Sequence, residues 1–232
     1  MRALRFVLYG LIAVWALGSL CVFIWIRERY GRGGPMPVSQ AGMLLHPLRG
    51  WLQPVRPILD KFGLERGATV LELGPGPGYF TVEAAHIVGP EGRVVCLDLQ
   101  PGMLQMLAGR LEEAAVTNAQ PPAGDATRLP LADGSVDAAF LVAVLGEIPD
   151  RPQALTELRR VLKPGGVLSF SESLTDPDYV FQASLRDVCR AMGFRKLSCS
   201  GERLGYTMSF AAPGRRPASC ESPQPGLSSA SS

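Results

Sequence analysis

Residues 71–80 read LELGPGPGYF: an apolar run carrying the acid Glu72, then Gly74, Gly76 and Gly78 alternating with Pro75 and Pro77. Upstream, ATVLEL has the apolar content of a buried strand. Downstream, TVEAAHIV reads as a helix. A strand, a glycine loop and a helix in succession put the loop beyond the C-terminal end of a parallel strand, where open α/β sheets bind ligands. Glycine lets the backbone approach a ligand where a Cβ would collide, and the prolines stiffen the loop. A dinucleotide-binding loop wants G-x-G-x-x-G/A. Counted from Gly74 the third position is Tyr79, and from Gly76 it is Thr81, so the fingerprint fails in both registers. No Gly-Lys-Ser/Thr follows, which excludes a P-loop. The pattern present is acid-x-Gly-x-Gly-x-Gly, from Glu72 to Gly78.

Working outward, strands are predicted at Thr69–Leu73, Arg93–Leu97, Val136–Val142 and Val167–Ser171. Helices are predicted at Phe80–Val88, Met103–Ala115 and Pro152–Val161. Asp150 is placed to cap the last of these, and Lys163-Pro164-Gly165-Gly166 to end it. This alternation specifies a mostly parallel sheet with helices on both faces. A helix over Phe181–Met192 then leads to two short strands, Arg195–Ser200 and Gly205–Ala211, whose tight connection predicts an antiparallel hairpin at a sheet edge.

Two further acids fall where a nucleoside would need them. Asp98 ends the strand RVVCLD, and a carboxylate there can accept hydrogen bonds from both hydroxyls of a ribose. Asp125, after a short predicted strand, can receive an adenine amino group, with the Ala126 backbone beside it.

Taken together, LELGPGPG, VVCLDLQPGML, GDATRLPLADGSVDAAF and LRRVLKPGG resemble, in order and spacing, the class I S-adenosylmethionine-dependent methyltransferases. Within them the chain is similar to the methyltransferase type 11 group, which includes the ubiquinone/menaquinone C-methyltransferases. The resemblance covers about residues 60–212. It implies a Rossmann-like seven-stranded sheet ending in an antiparallel hairpin, with S-adenosylmethionine as cofactor. It further implies that Glu72, Gly74, Gly76 and Gly78 line the methionine and ribose part and that Asp98 binds the ribose hydroxyls. Leu99 would pack on the adenine face, with Asp125 and Ala126 at the adenine edge.

The loop after the fourth strand, VAVLGEIPD, should face the transferring methyl, which makes Glu147 the candidate catalytic carboxylate and Glu172 a second one. An acid beside a helix N-terminus also satisfies backbone donors, so both carry a structural alternative. There is no Asn/Asp-Pro-Pro-Tyr/Phe motif, which argues against methylation of adenine or glutamine nitrogen. The segment ESLTDPDY is shorter than the substrate-covering insertion of quinone-pathway relatives. The apolar stretch from Gly42 to Phe62 is therefore expected to cover the substrate, and the acceptor to be small and lipophilic. A catalytically silent binding or assembly factor is the alternative.

From Phe6 to Ile26 the chain runs 21 residues without a charge, with Arg2 and Arg5 before and Arg27, Arg29 and Arg32 after. As a helix it would span about 30 Å, the thickness of a hydrocarbon core. It exceeds a usual signal-peptide core, and cleavage after Gly18 would leave an apolar new terminus. The expected organisation is a membrane anchor over residues 1–30, a linker and apolar capping segment over 31–60, a methyltransferase domain over 61–212 and a disordered tail over 213–232. The arginine bias places the domain in the cytosol. Five irregularly spaced cysteines supply neither a disulfide framework nor a metal-ligand set, and no metal is expected. A net charge of +2 without a basic stripe gives no footprint for nucleic acid.

Overall fold

The computed structural model describes residues 34–202 and 204–214, together with Tyr9, Gly10, Val14 and Gly18. Seven strands form one sheet in the order β3-β2-β1-β4-β5-β7-β6. They are β1 (Thr69–Leu73), β2 (Arg93–Leu97), β3 (Ala119–Gln120), β4 (Val136–Val142), β5 (Leu162–Ser173), β6 (Arg195–Glu202) and β7 (Gly205–Ala211). The first five run parallel, and β7 inserts antiparallel between β5 and the edge strand β6. The order reverses on the two sides of β1, creating the switch point at which such sheets open a crevice.

Among the residues described from 34 onward, six α-helices accompany the sheet: α1 (Pro47–Leu52), α2 (Val55–Phe62), α3 (Thr81–Val88), α4 (Pro101–Glu113), α5 (Arg151–Val161) and α6 (Gln182–Ala191). The expected capping of α5 is present, with the Gln153 amide donating to Asp150 Oδ1 at 3.0 Å. The strand predicted at Val167–Ser171 is longer than its apolar run. Leu162 pairs with Val136 of β4, and β7 pairs with β5 as far as Ser173.

The core has two halves, one on each face of the sheet. One gathers Leu155, Leu158, Phe170, Leu185 and Tyr206 under α5 and α6; the other gathers Phe62, Phe80, Leu107 and Phe140 under α2, α3 and α4. Helix α2 belongs to this second half. Ile58, Leu59 and Phe62 are fully buried, and the Phe62 ring lies 5.3 Å from that of Phe140. Among the described residues, no helix is long and apolar enough to cross a membrane. The apolar run at 6–26 lies outside the described residues apart from four isolated positions, as does the tail beyond residue 214.

Candidate active site

The C-terminal ends of β1, β2 and β4 open onto a cavity of about 440 Å³, within the range of small-molecule sites. Its floor is built by the glycine loop. Gly74, Gly76 and Gly78 take φ of 70°, 55° and 84°, the left-handed region that side chains resist. At Gly74 a Cβ would also meet Val144 Cγ2 at 2.6 Å, so glycine lets the loops after β1 and β4 close on each other. Gly78 works differently. It does not line the cavity, and its Cβ would strike Leu107 Cδ1 of α4 at 2.5 Å. At this position the absence of a side chain lets the loop rest on α4.

Asp98 closes the far side of the loop. It is 7% exposed, and its carboxylate accepts from the Gly76 amide at 3.1 Å and the Gln100 amide at 2.9 Å. Burial raises its pKa, while those backbone donors hold it down. Leu99 next to it is 58% exposed, an apolar platform at the cavity wall. Asp125 Oδ1 accepts from the Thr127 amide and hydroxyl, each at 2.8 Å, and this engagement lowers its pKa. Ala126 completes that wall.

Glu72 lines the cavity from β1 and is 3% exposed, with Oε2 buried and without a hydrogen-bond partner. Burial pushes its pKa up to about 8, moderated by the nearby Thr81 hydroxyl and the charge of Arg49. After β4, Ala143 adopts φ of 55°, and this left-handed residue turns the chain into the 3-10 turn Leu145–Glu147. Glu147 there lines the cavity; burial raises its pKa to about 8, helped by Asp176, and the Met36 backbone N–H opposes the shift.

Glu172 behaves otherwise. It is 2% exposed, does not line the cavity, and accepts from the Val180 amide at 3.3 Å. This backbone contact is the kind the structural alternative describes.

A strap crosses the mouth. Met36 accepts from Gln100 Nε2 at 2.9 Å, the 3-10 helix Val38–Leu45 follows, and Leu44 comes down over Gly76. Arg49 of α1 enters the cavity behind it. Its guanidinium lies 4.5 Å from the Tyr79 ring centroid and donates to Gln53 Oε1 and the Leu44 carbonyl. Arg49, Asp176, Met36 and Gln100 were not singled out in the sequence. For Arg49 a signal existed, a lone cation inside the apolar stretch HPLRGWLQP. Of the two histidines, neither lines the cavity.

Residues 71–170 match the family model described as Methyltransferase domain. Over these residues the chain is similar to the class I S-adenosylmethionine-dependent methyltransferases. The ubiquinone/menaquinone biosynthesis C-methyltransferase UbiE of Hahella chejuensis is 37% identical over 118 residues, 49% of this chain and 47% of that protein. The same enzyme of Klebsiella pneumoniae is 36% identical over 123 residues, 51% of this chain and 49% of that protein. The chain thus spans about half the length of the curated relatives it matches. In fold it is similar to a SAM-dependent methyltransferase from Aquifex aeolicus, with a TM-score of 0.73 and 23% identity over 77% of this chain and all of that one. It is also similar to the [4+2]-cyclase SpnF, with a TM-score of 0.62 and 18% identity over 69% of this chain and 80% of that one.

The cofactor of this domain family is S-adenosylmethionine, and the cavity fits it. The orphaned carboxylate oxygen of Glu72, the Asp98 carboxylate beside the loop amides and the Leu99 platform suit an ammonium, a ribose and an adenine respectively. Six acidic side chains line the cavity (Glu72, Asp98, Asp125, Glu147, Asp150 and Asp176), and a cationic sulfonium would favour their ionised forms.

Proposed function

We propose that this protein transfers a methyl group from S-adenosylmethionine to a small lipophilic acceptor, held at the membrane by its N-terminal apolar run. The observation that carries this reading is the continuity of one cavity. Of the residues lining it, we assign the glycine loop, Asp98, Leu99, Asp125 and Ala126 to one part, and Glu147, Val144 and the strap residues Met36 and Leu44 to the other. The first part would hold cofactor and the second the acceptor.

When bound, the cofactor supplies an electrophilic methyl on a sulfonium sulfur. Glu72, Gly74 and Gly76 would line its methionine and ribose part, Asp98 would accept from the ribose hydroxyls, and Asp125 and Ala126 would meet the adenine edge. The strap keeps water from the mouth and presents Met36 and Leu44 to an apolar acceptor. Alignment of acceptor and methyl carbon by such walls can contribute about 7–11 kcal/mol. Glu147 would take the proton from an acceptor that arrives protonated, since a carboxylate with a pKa near 8 matches that task at neutral pH.

The activity for which the UbiE relatives are named, C-methylation in ubiquinone/menaquinone biosynthesis, supports a lipophilic acceptor here. So do Met43 and Trp51, which stand exposed on the capping segment, and the uncharged run at 6–26 that precedes it. We place the domain on the cytosolic side as a single-pass protein, with the organisation of anchor, capping segment, domain and tail set out above. Neither a nucleic acid nor a metal enters this account. A second reading, an anchored binding or assembly factor, draws on the similarity to a cyclase of the same fold, because fold does not dictate reaction.

Incubating the full chain in vesicles with methyl-labelled cofactor and a panel of lipophilic phenols, thiols and active-methylene compounds tests the proposal. Label should pass into the organic phase with at least one acceptor class. No transfer to any of them by a protein that binds S-adenosylhomocysteine would favour the binding factor.

A further inference from the structure

We propose that the edge of the sheet where the cavity opens docks on the bilayer surface, through an apolar rim of Met43, Trp51, Leu174, Phe181 and Leu204. This rests on the anchored reading above and adds which face of the domain meets the membrane, so that the mouth of the cavity opens onto lipid.

All five rim residues are exposed, Phe181 at 68% the most, and the chain sets them around one opening. Met43 adjoins Leu44, and Trp51 lies two residues past Arg49; Leu44 and Arg49 both line the cavity. Leu174 stands two residues before Asp176, which lines it too. Leu204, in the turn between β6 and β7, accepts from the Leu174 amide at 2.7 Å. Phe181 opens α6, with its ring 5.3 Å from that of Tyr179. The opposite edge of the sheet differs. The turns leading into β1, β2 and β4 present Glu65, Arg66, Glu91 and Asp133, and among the described residues no large apolar side chain is exposed in them. An exposed apolar patch confined to one edge marks an interaction surface.

The length of the tether selects the bilayer as the occupant. The uncharged run ends at Ile26, and Pro35 already lines the cavity. The nine residue steps between them reach no further than about 32 Å even when fully extended. A domain of about 180 residues has a radius of gyration of about 16 Å, hence a diameter of about 40 Å. A run held in the bilayer therefore keeps the cavity edge near the membrane, and the tether is too short to turn the charged edge toward it. Trp51 and Phe181 suit the interfacial layer, where aromatic side chains concentrate. Asp125 and Asp150 are exposed on the same edge and would be repelled by an anionic surface. The fitting partner is a zwitterionic one.

The test uses the full chain in phosphatidylcholine vesicles. Trp15→Phe with Trp25→Phe leaves Trp51 as the sole tryptophan. In that background Trp51→Phe with Phe181→Trp moves the reporter across the mouth, and Trp51→Phe with Glu91→Trp moves it to the opposite edge. Brominated lipids should quench the first two reporters, most with bromines about 5–10 Å into the interface, and leave the third bright. In a chain that floats with the vesicles, no quenching of either mouth reporter, or equal quenching of all three, overturns the docking face and leaves the anchor standing. Unquenched mouth reporters in a chain that cross-links to itself would assign the rim to a second copy. A chain that does not float with the vesicles would instead overturn the anchored reading itself.

Discussion

The amide of Gly76 donates to Asp98 Oδ2 at 3.1 Å, across 22 positions of sequence. That single bond joins the glycine loop after β1 to the acid after β2 and sets the spacing of the two walls between which a ribose would lie. Each carboxylate oxygen has two lone pairs. Asp98 therefore holds the loop and still has acceptor capacity facing the cavity. Structure and binding share one side chain, which is why it is nearly buried yet lines the site.

Gly78 should respond to substitution as a packing residue. Gly78→Val places a branched side chain at φ of 84° and into Leu107, and overpacking of this kind costs about 1–3 kcal/mol. A lower urea midpoint with an unchanged m-value is expected. The affinity of the folded fraction for S-adenosylhomocysteine should stay close to wild type. A selective loss of affinity at normal stability would return Gly78 to the cofactor site.

Phe62→Ala removes a fully buried ring that meets Phe140 and should cost about 3–5 kcal/mol, read in urea unfolding. A change below about 1 kcal/mol would mean that α2 is not integral to the core. The same packing means that removing residues 42–60 to test the cap would also delete Ile58 and Leu59 from the core. A substitution in the strap, such as Leu44→Asp, is the cleaner probe.

The ligand-free protein should lose stability as pH rises. Burial pushes Glu72, Glu147 and Glu172 up to about 8 and Asp176 to about 6. Ordinary values for the unfolded chain are 4.5 and 3.8. Between about pH 4 and 8 the native state therefore holds more protons than the unfolded one. The stability these groups contribute is fully present below their unfolded values and is gone once pH passes the folded ones. Each group can add a slope of up to about 1.4 kcal/mol per pH unit. Asp137 and Glu157, whose pKa values ion pairing and backbone donors lower, act in the opposite sense and only in acid. Urea midpoints should fall from about pH 5 to about pH 8 and then flatten, and Glu172→Gln should flatten the fall. A midpoint that rises over this window would contradict the assignment.

Glu147→Gln separates chemistry from binding. If Glu147 accepts the acceptor's proton, kcat should drop by about 10²–10⁴ and the rising limb of its pH profile should disappear, with S-adenosylhomocysteine affinity unchanged. An unaltered kcat would leave Glu147 as the partner of the Met36 amide alone.

What the sequence revealed, and what it hid, follows from the range of the interactions. β1, β2, β4 and β7 stand where their apolar runs begin and end, because burial on both faces of a sheet imposes composition locally. Asp98, directly after β2, and Asp125, in the loop beyond β3, both line the cavity, and the strand order makes that placement legible. The alternating glycines announce a loop that must curl, yet spacing does not tell which of them line the cavity, as Gly74 and Gly76 do, and which packs on a helix, as Gly78 does. Glu147 and Glu172 look alike in sequence; only the path of Ser173–Tyr179 decides that one lines the cavity and the other is sealed beneath it. Arg49 and Asp176 reach the site through contacts from the cap and a short loop, which no local periodicity encodes.

The most direct test of the central claim is thermal unfolding of the full chain with and without S-adenosylhomocysteine, beside Asp98→Ala. At 100 times its dissociation constant the ligand should add about 2.7 kcal/mol of stability to the wild type, and that gain should vanish in the variant. A well-folded wild type that shows no shift would contradict the assignment of this cavity to the cofactor.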